Sequence, residues 1–166
     1  MDFREPIKII ADILSHELNL NADRIFIYND GRPLPKDNGL YISLCINEII
    51  PFANNNKTGD INETFSEKQS LNYRQKIIAS VISKDTTARI AAYNAVMALN
   101  STYSQQIQEQ YACHIAKIAH VTDASFLEET SRLNRFDVAI NVISWAEMTK
   151  EIDYYNTGDT QSRFEP

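Results

Sequence analysis

The side chains best suited to chemistry are few and widely spaced in this chain of 166 residues, which has three histidines and two cysteines. His16 lies in a segment with helical spacing and has no companion motif. His114 and His120 would share one face of a strand but lie about 20 Å apart along it, too far for one metal ion. Cys113 precedes His114, but neighbours on a strand point to opposite faces, which does not favour a thiolate–imidazole pair.

Carboxylates and glycines offer no stronger motif. Glu128 and Glu129 are adjacent and could form an acid/base pair, but a solvated connection between strands is the simpler interpretation. Asp60 and Asn62 lack the glycine and terminal glutamate positions of an EF-hand loop. With four glycines, the chain contains neither GxGxxG nor GxxxxGK[ST]. The sequence therefore predicts a protein that is not an enzyme and has no cofactor or metal site.

The composition fits one globular domain without a membrane anchor. Hydrophobic residues make up 43% of the chain, and no run of about 18 apolar residues occurs. The start, MDFREPIKII, lacks the apolar segment of a secretory signal. A net charge of −6 argues against a dedicated nucleic-acid groove, which needs clustered cations. Cys45 and Cys113 are interpreted as buried thiols of a cytosolic chain, with a disulfide as the alternative.

The clearest pattern is a long alternation of apolar and polar residues that begins at Ile61. One face of this segment carries Ile61, Phe65, Leu71, Tyr73, Ile77, Ala79 and Val81. Period-2 alternation is typical of a half-buried β-strand. About 20 residues at 3.3 Å each would reach about 65 Å, far beyond the usual strand of 5–6 residues. Because one small domain cannot cover that length, we expect part of the segment to project towards a neighbour.

Spacing and turn chemistry predict the remaining elements. We expect helices at 6–19 and 85–100, and strands at 24–28, 40–52, 61–83, 111–121 and 133–148. Pro6 fits a first helical position, and Asp85 or Thr86 can cap the second helix. Pro51 suggests an edge strand or the exit from one.

Some segments leave alternatives open. Residues 101–110 are polar and could continue the second helix or leave it. Residues 29–39 read as a loop, and a turn or mobile tip is expected from Ala53 to Gly59, where three asparagines and a glycine cluster.

The second predicted helix is rich in alanine. Its strong helix formers are Ala88, Ala91, Ala92, Ala95 and Ala98. We expect its larger side chains to supply bulk to the core; these are Ile90, Tyr93, Val96, Met97 and Leu99.

Together these elements predict an α+β fold: a mainly antiparallel sheet with two principal helices packed on it, a long β-hairpin arm and an extended C-terminal tail. Residues 1–149 would form the domain, with the arm at about 50–70. The alternative is that 53–68 is a disordered loop whose alternation is accidental. Residues 150–166 would be a tail that becomes ordered only against a partner.

Several local motifs follow one another in a recognisable order. An N-terminal amphipathic helix comes first, and the Arg32–Pro33 loop then leads into Gly39-Leu40-Tyr41-Ile42-Ser43-Leu44. The long strand ends at Ser80-Val81-Ile82-Ser83. The Ala-rich helix follows, and the last strand contains Arg132-Leu133-Asn134-Arg135-Phe136-Asp137-Val138. Over roughly residues 6–148, this order resembles the tail-terminator and neck proteins of tailed bacteriophages.

The resemblance implies a virion structural protein that assembles in the host cytoplasm and resides in the tail or neck. Such proteins are α+β subunits of a homo-oligomeric ring, commonly a hexamer, that caps the tail tube. Implied partners are the tail tube, sheath proteins and the head-side connector or adaptor, with no membrane contact. DNA would pass through the central channel without sequence-specific binding.

Within such a ring, the long strand would reach the next subunit or accept a strand from it. The candidate interface residues are Ile61, Phe65, Leu71, Tyr73, Tyr154, Tyr155 and Phe164. Two alternatives stay open: a head-completion or adaptor protein of the neck, and an enzyme or small-ligand binder whose site residues are distant in sequence.

Overall fold

Three α-helices and a mostly antiparallel sheet make up the computed structural model, which describes residues 4–28, 31–61, 64–116, 119–128 and 131–152. The predicted α+β class is confirmed. The prediction of two principal helices is wrong, because residues 102–110 form a helix of their own. Ser101 starts it: its side chain accepts a 3.0 Å hydrogen bond from the Ser104 N–H.

The two predicted helices begin close to the predicted residues, and a third helix follows them. They span Pro6–Glu17 (α1), Thr87–Leu99 (α2) and Thr102–Gln110 (α3). Pro6 takes the first helical position of α1, where its missing N–H costs nothing. Thr86 holds the N-cap position of α2 without a side-chain cap bond, whereas Asp85 Oδ1 accepts from the Thr87 N–H at 2.9 Å.

Seven strands form the sheet within the described residues. They are Ile25–Ile27 (β1), Tyr41–Ile61 (β2), Thr64–Ser83 (β3), His114–Ile115 (β4), His120–Asp123 (β5), Phe126–Glu128 (β6) and Ser131–Glu151 (β7). The order is β1-β2-β3-β7-β4, and β5 and β6 also pair with β7. Among the seven described strands, only β1 and β2 pair in parallel, and every other pair is antiparallel.

Strands β2 and β3 form one long hairpin ladder, from Tyr41 opposite Ile82 to Ile61 opposite Thr64. The predicted turn at Ala53–Gly59 is therefore wrong, because Asn56, for example, lies opposite Gln69 in this ladder. Cross-strand pairing outweighs the weak intrinsic β-propensity of asparagine and glycine here. The alternative of a disordered loop fails for the described residues of 53–68, which are all strand.

Strand β7 is longer than predicted, and it continues the sheet on the other side of β3. Its pairing with β3 runs without a register slip from Asn134 opposite Ser83 to Glu151 opposite Ser66. Lys150 and Glu151, expected in the tail, thus belong to the sheet. Residues 153–166 of the predicted tail lie outside the described residues.

The single strand predicted at 111–121 is wrong. Helix α3 reaches Gln110, and a turn at residues 111–112 follows it. Just before β4, the Cys113 N–H donates to the Gln108 carbonyl at 3.0 Å. His114 and His120 therefore lie on two separate short strands, both paired with β7.

The core lies between the helices and one sheet face, here called the helix-side face. Its buried sheet residues include Ile42, Leu44, Ile77, Ala79, Val81, Val138, Ile140 and Val142. Helix α2 packs on β3 and β7 through its buried alanines, as predicted. The small side chains let the helix approach the sheet closely.

Candidate subunit interface

The hydrophobic core ends partway along the three long strands. Its sheet residues reach Ile77 on β3 and Val142 on β7. The next two residues of the same face of β3, Gln75 and Tyr73, are still buried although they lie outside the core cluster. The Tyr73 hydroxyl hydrogen-bonds to Ser144. Past Tyr73 lie residues 53–61 of β2, 64–72 of β3 and 145–151 of β7, here called the distal sheet. None of the described side chains of the distal sheet belongs to the core cluster.

The boundary is marked by two polar side chains on the helix-side face. Burial raises the pKa of Tyr73. Gln75 is 3% exposed, and its Oε1 has no hydrogen-bond partner among the described protein groups. A buried acceptor without a partner costs on the order of 1–3 kcal/mol. The helix-covered part of the sheet therefore ends at a buried polar position.

The structure brings three of the predicted interface residues to one face. Phe65, Leu71 and Tyr73 share the helix-side face of β3, because alternate residues of a strand point the same way. Phe65 and Leu71 are half-buried. Tyr73 is buried within the subunit, so that only 8% of its own surface is exposed for contact with a neighbour.

The other predicted interface residues are not located. The Ile61 backbone ends β2, but its side chain is outside the described part of the chain. Tyr154, Tyr155 and Phe164 also lie outside the described residues.

A small apolar surface lies on the helix-side face of the distal sheet. Leu71 is opposite Ala146, and Gln69 is opposite Met148. Leu71, Ala146 and Met148 form this surface, here called the distal belt, and Met148 is 56% exposed. A depression of about 280 Å³ opens among these residues.

Beyond the distal belt the same face becomes polar around Glu67. Gln69 Nε2 donates to Glu67 Oε1 at 3.0 Å, and Asn56 Nδ2 donates to the same oxygen. These two hydrogen bonds hold the pKa of Glu67 below its usual range, and the positive charge of Lys150 acts in the same direction. Glu67 is therefore an anion at neutral pH.

Strand β2 presents an open edge. Strand β1 pairs with β2 only from Ile42 to Leu44, so among the described residues no strand pairs with that side of β2 beyond Leu44. Ile46, Ile49 and Phe52 are 45%, 53% and 59% exposed near this edge. Unpaired strand edges are templates for pairing with another chain.

The sequence signal for this edge was Pro51, a residue confined to edges and bulges of sheets. The exposure of the flanking apolar residues was not predicted. Two register shifts, between Ile46 and Glu48 and between Pro51 and Ala53, change which residues of β2 face the helix side. A simple period-2 pattern cannot identify such shifts.

The distal part of β7 is more polar. Glu147, Lys150 and Glu151 are exposed, and the Lys68 Nζ lies 2.5 Å from Glu147 Oε1. Charged side chains protect a strand edge from unwanted pairing. The two outer long strands therefore differ: the open edge of β2 carries exposed apolar residues just before the distal sheet, whereas the distal part of β7 is charged.

The outer side of α2 carries an unexpected apolar surface. Ile90, Tyr93 and Met97 are 61%, 55% and 63% exposed, so the prediction that they supply bulk to the core is wrong. The reason is their spacing: the buried alanines occupy the inner side of the helix, and residues 90, 93 and 97 fall on the opposite side. Val96 and Leu99 are half-buried and buried, as expected.

Reactive groups cluster weakly near the end of α3. A hollow of about 430 Å³ is lined in part by Glu109, Cys113 and His114. Burial raises the pKa of the Cys113 thiol, which disfavours the nucleophilic thiolate. Both polar atoms of the Gln108 side chain make hydrogen bonds within the fold. Its Oε1 accepts from the Ile115 N–H at 2.8 Å, and its Nε2 donates to Ser104 Oγ at 3.0 Å.

Within the part of the chain that the structure describes, no group of three or more His, Cys, Asp or Glu side chains is placed to hold a metal ion. In the same residues, no helix combines the length and apolarity needed to cross a bilayer. A scan against protein-family models finds no match, and a search of curated proteins finds no significantly similar sequence.

Proposed function

We propose that this chain is a virion structural protein: a ring-forming tail-terminator or neck subunit of a tailed bacteriophage. In this role it caps the tail tube and joins the tube to the head-side connector, and DNA passes through the channel of a homo-oligomeric ring, a hexamer by resemblance to the family.

The observation that carries this proposal is the extent of the three long strands past the core. Strands of 20 and 21 residues continue beyond the helix-covered part of the sheet, and β2 has an open edge whose exposed apolar residues Ile46, Ile49 and Phe52 lie just before the distal sheet. Such a sheet has more to bury than its own helices cover. A projecting hairpin arm that contacts the next subunit gives it that cover, and repeated head-to-tail contacts close into a ring.

The charge of the chain is compatible with a channel for DNA. With a net charge of −6, the subunit does not displace the counterions of DNA as a basic binding groove does. A channel that repels phosphates weakly lets the duplex slide.

Native mass spectrometry and negative-stain electron microscopy of the full chain test the proposal. The chain is measured alone at rising concentration, and then mixed with a candidate tail-tube protein from the same genome. We expect a closed oligomer with a central opening wide enough for duplex DNA. A chain that stays monomeric alone and with the tube protein contradicts the proposal.

The choice of partner separates a terminator from a head-completion or adaptor protein. A terminator ring binds the end of the tail tube and then the connector, whereas an adaptor binds the connector without the tube. Pull-down of each purified partner by the full chain decides between these positions.

A further inference from the structure

Two of the apolar surfaces that stay uncovered within the described residues differ in kind: one is a helix face and the other is a sheet face. One is the outer side of α2, formed by Ile90, Tyr93 and Met97 and here called the α2 stripe. The other is the distal belt, a sheet face with no described core residue over it. Inside the subunit, the inner side of α2 already packs on the helix-side face of β3 and β7. The distal belt continues that same face.

These two surfaces cannot meet within one subunit. The inner side of α2 faces its own sheet, so the α2 stripe on the opposite side points away from every part of that sheet. A contact between the α2 stripe and the distal belt therefore needs a second copy of the chain.

Charge and spacing favour this pairing. Arg89 is exposed on the flank of the α2 stripe, eight residues before Met97, which is about 12 Å along a helix. Glu67 lies four residues from Leu71, about 13 Å along a strand. With Met97 over Leu71, Arg89 thus reaches the level of Glu67. Lys150 lies opposite Glu67 and offsets part of this attraction.

We propose that the α2 stripe of one copy packs on the distal belt of the next copy, with Met97 near Leu71 and Arg89 beside Glu67. This inference rests on the proposed ring and names the surfaces that close it. The contact is head-to-tail, because the two surfaces are different parts of the chain.

Paired substitutions test each surface. Met97→Glu combined with Ile90→Glu disrupts the α2 stripe, and Met148→Glu disrupts the distal belt. Gln106→Glu, on the exposed side of α3, and Thr149→Glu, on the other face of β7, are the matched controls. We expect each disrupting variant to weaken self-association by about 30-fold or more, and each control by less than about threefold.

Mixing the two disrupted variants gives the sharpest result. Each variant alone should be monomeric, whereas the mixture should form heterodimers and nothing larger, because only one intact pair of surfaces remains. Light scattering of the separate and mixed samples measures this. Heterodimers support the inference; a mixture that stays monomeric overturns it.

Charge exchange provides a second route that does not depend on the apolar variants. Arg89→Glu should weaken association, and adding Glu67→Lys should restore most of it. Circular dichroism confirms that each variant is folded. A second substitution that restores nothing overturns the pairing of these residues.

The outcomes separate the inference from the proposed function. If the disrupted variants form the same closed ring as the wild type, the ring stands and the inference falls. If the wild type forms no oligomer, alone or with the tube protein, both fall.

Discussion

The covered and distal parts of the same sheet follow different physical rules. In the covered part, Ile77, Val138 and Ile140 are at most 1% exposed beneath the helices. In the distal sheet, Leu71 and Ala146 occupy equivalent positions of the same strands but are only half-buried, and Met148 is 56% exposed.

The difference shows that strand length and core formation are separate properties of this chain. Backbone pairing between β3 and β7 continues without a slip through both parts, whereas on the helix-side face no described side chain past Tyr73 is fully buried. Hydrogen bonding thus extends the sheet, whereas full burial of apolar side chains is confined to the part that helices cover. Within the described residues, the distal sheet lies outside the hydrophobic core.

Truncating a core residue should give the largest effect. We expect Ile140→Ala to lower the free energy of unfolding by about 2–5 kcal/mol, because it leaves a cavity in a packed core. Met148→Ala in the distal sheet should change it by less than about 0.5 kcal/mol. Urea denaturation of both variants measures the difference; equal losses would remove the distinction between the two parts.

The boundary residue Gln75 should give a smaller effect of opposite sign. Gln75→Met keeps the length of the side chain and removes the buried acceptor, so we expect a gain in stability of about 1 kcal/mol. Gln106→Met, on the exposed side of α3, serves as the control and should stay within about 0.5 kcal/mol. Thermal and urea unfolding check both, and a loss of stability in Gln75→Met would show that Oε1 is satisfied.

Shortening the hairpin should affect folding less and assembly more. Residues 54–71 are replaced by Asn-Gly, which joins the paired residues Ala53 and Asn72 through a two-residue turn. We expect the free energy of unfolding to change by less than about 1 kcal/mol, because no core residue is removed. Self-association should be lost. If the shortened chain fails to fold, the distal sheet is needed for the stability of the domain, which contradicts this prediction.

The smallest effect concerns the pKa of Asp37, a carboxyl group on the surface of the helix-covered part of the protein. Arg24 donates to both oxygens of Asp37, at 2.8 and 2.6 Å, and the Gly39 N–H donates to Oδ1 at 2.9 Å. These bonds lower the pKa of Asp37 from 3.8 to about 2. The ionised Asp37 carboxylate therefore contributes fully to the stability of the fold above about pH 4, and this contribution is lost as the pH falls through about 2.

Nuclear magnetic resonance titration of the Asp37 carboxyl checks this. In Arg24→Gln we expect its pKa to return most of the way to 3.8. An unchanged pKa would assign the shift to the Gly39 N–H rather than to Arg24.

Much of the fold is predictable from periodicity in the sequence. The alternation on β3 identifies Tyr73, Ile77, Ala79 and Val81 as one buried face, and the helical spacing of α1 places its first residue at Pro6. These signals are local, because they depend on which side of an element faces the core.

The errors occur where distant residues decide the outcome. Asn54, Asn55 and Asn56 form turns readily, but the ladder with β3 holds them in a strand. Tyr93 and Met97 look like core residues, but the alanines already fill the contact between α2 and the sheet. The residue types of a helix do not by themselves show which of its sides packs on the sheet.

The chain order of the strands has a consequence for synthesis. Strand β3 lies in the middle of the sheet, yet its partner β7 begins 48 residues after β3 ends. At about 5–20 residues per second, the ribosome needs several seconds to make that interval. During this time β3 has an open edge where β7 later pairs, and β2 has one on its other side. The speed of translation thus sets how long each nascent chain carries two sites for misassembly.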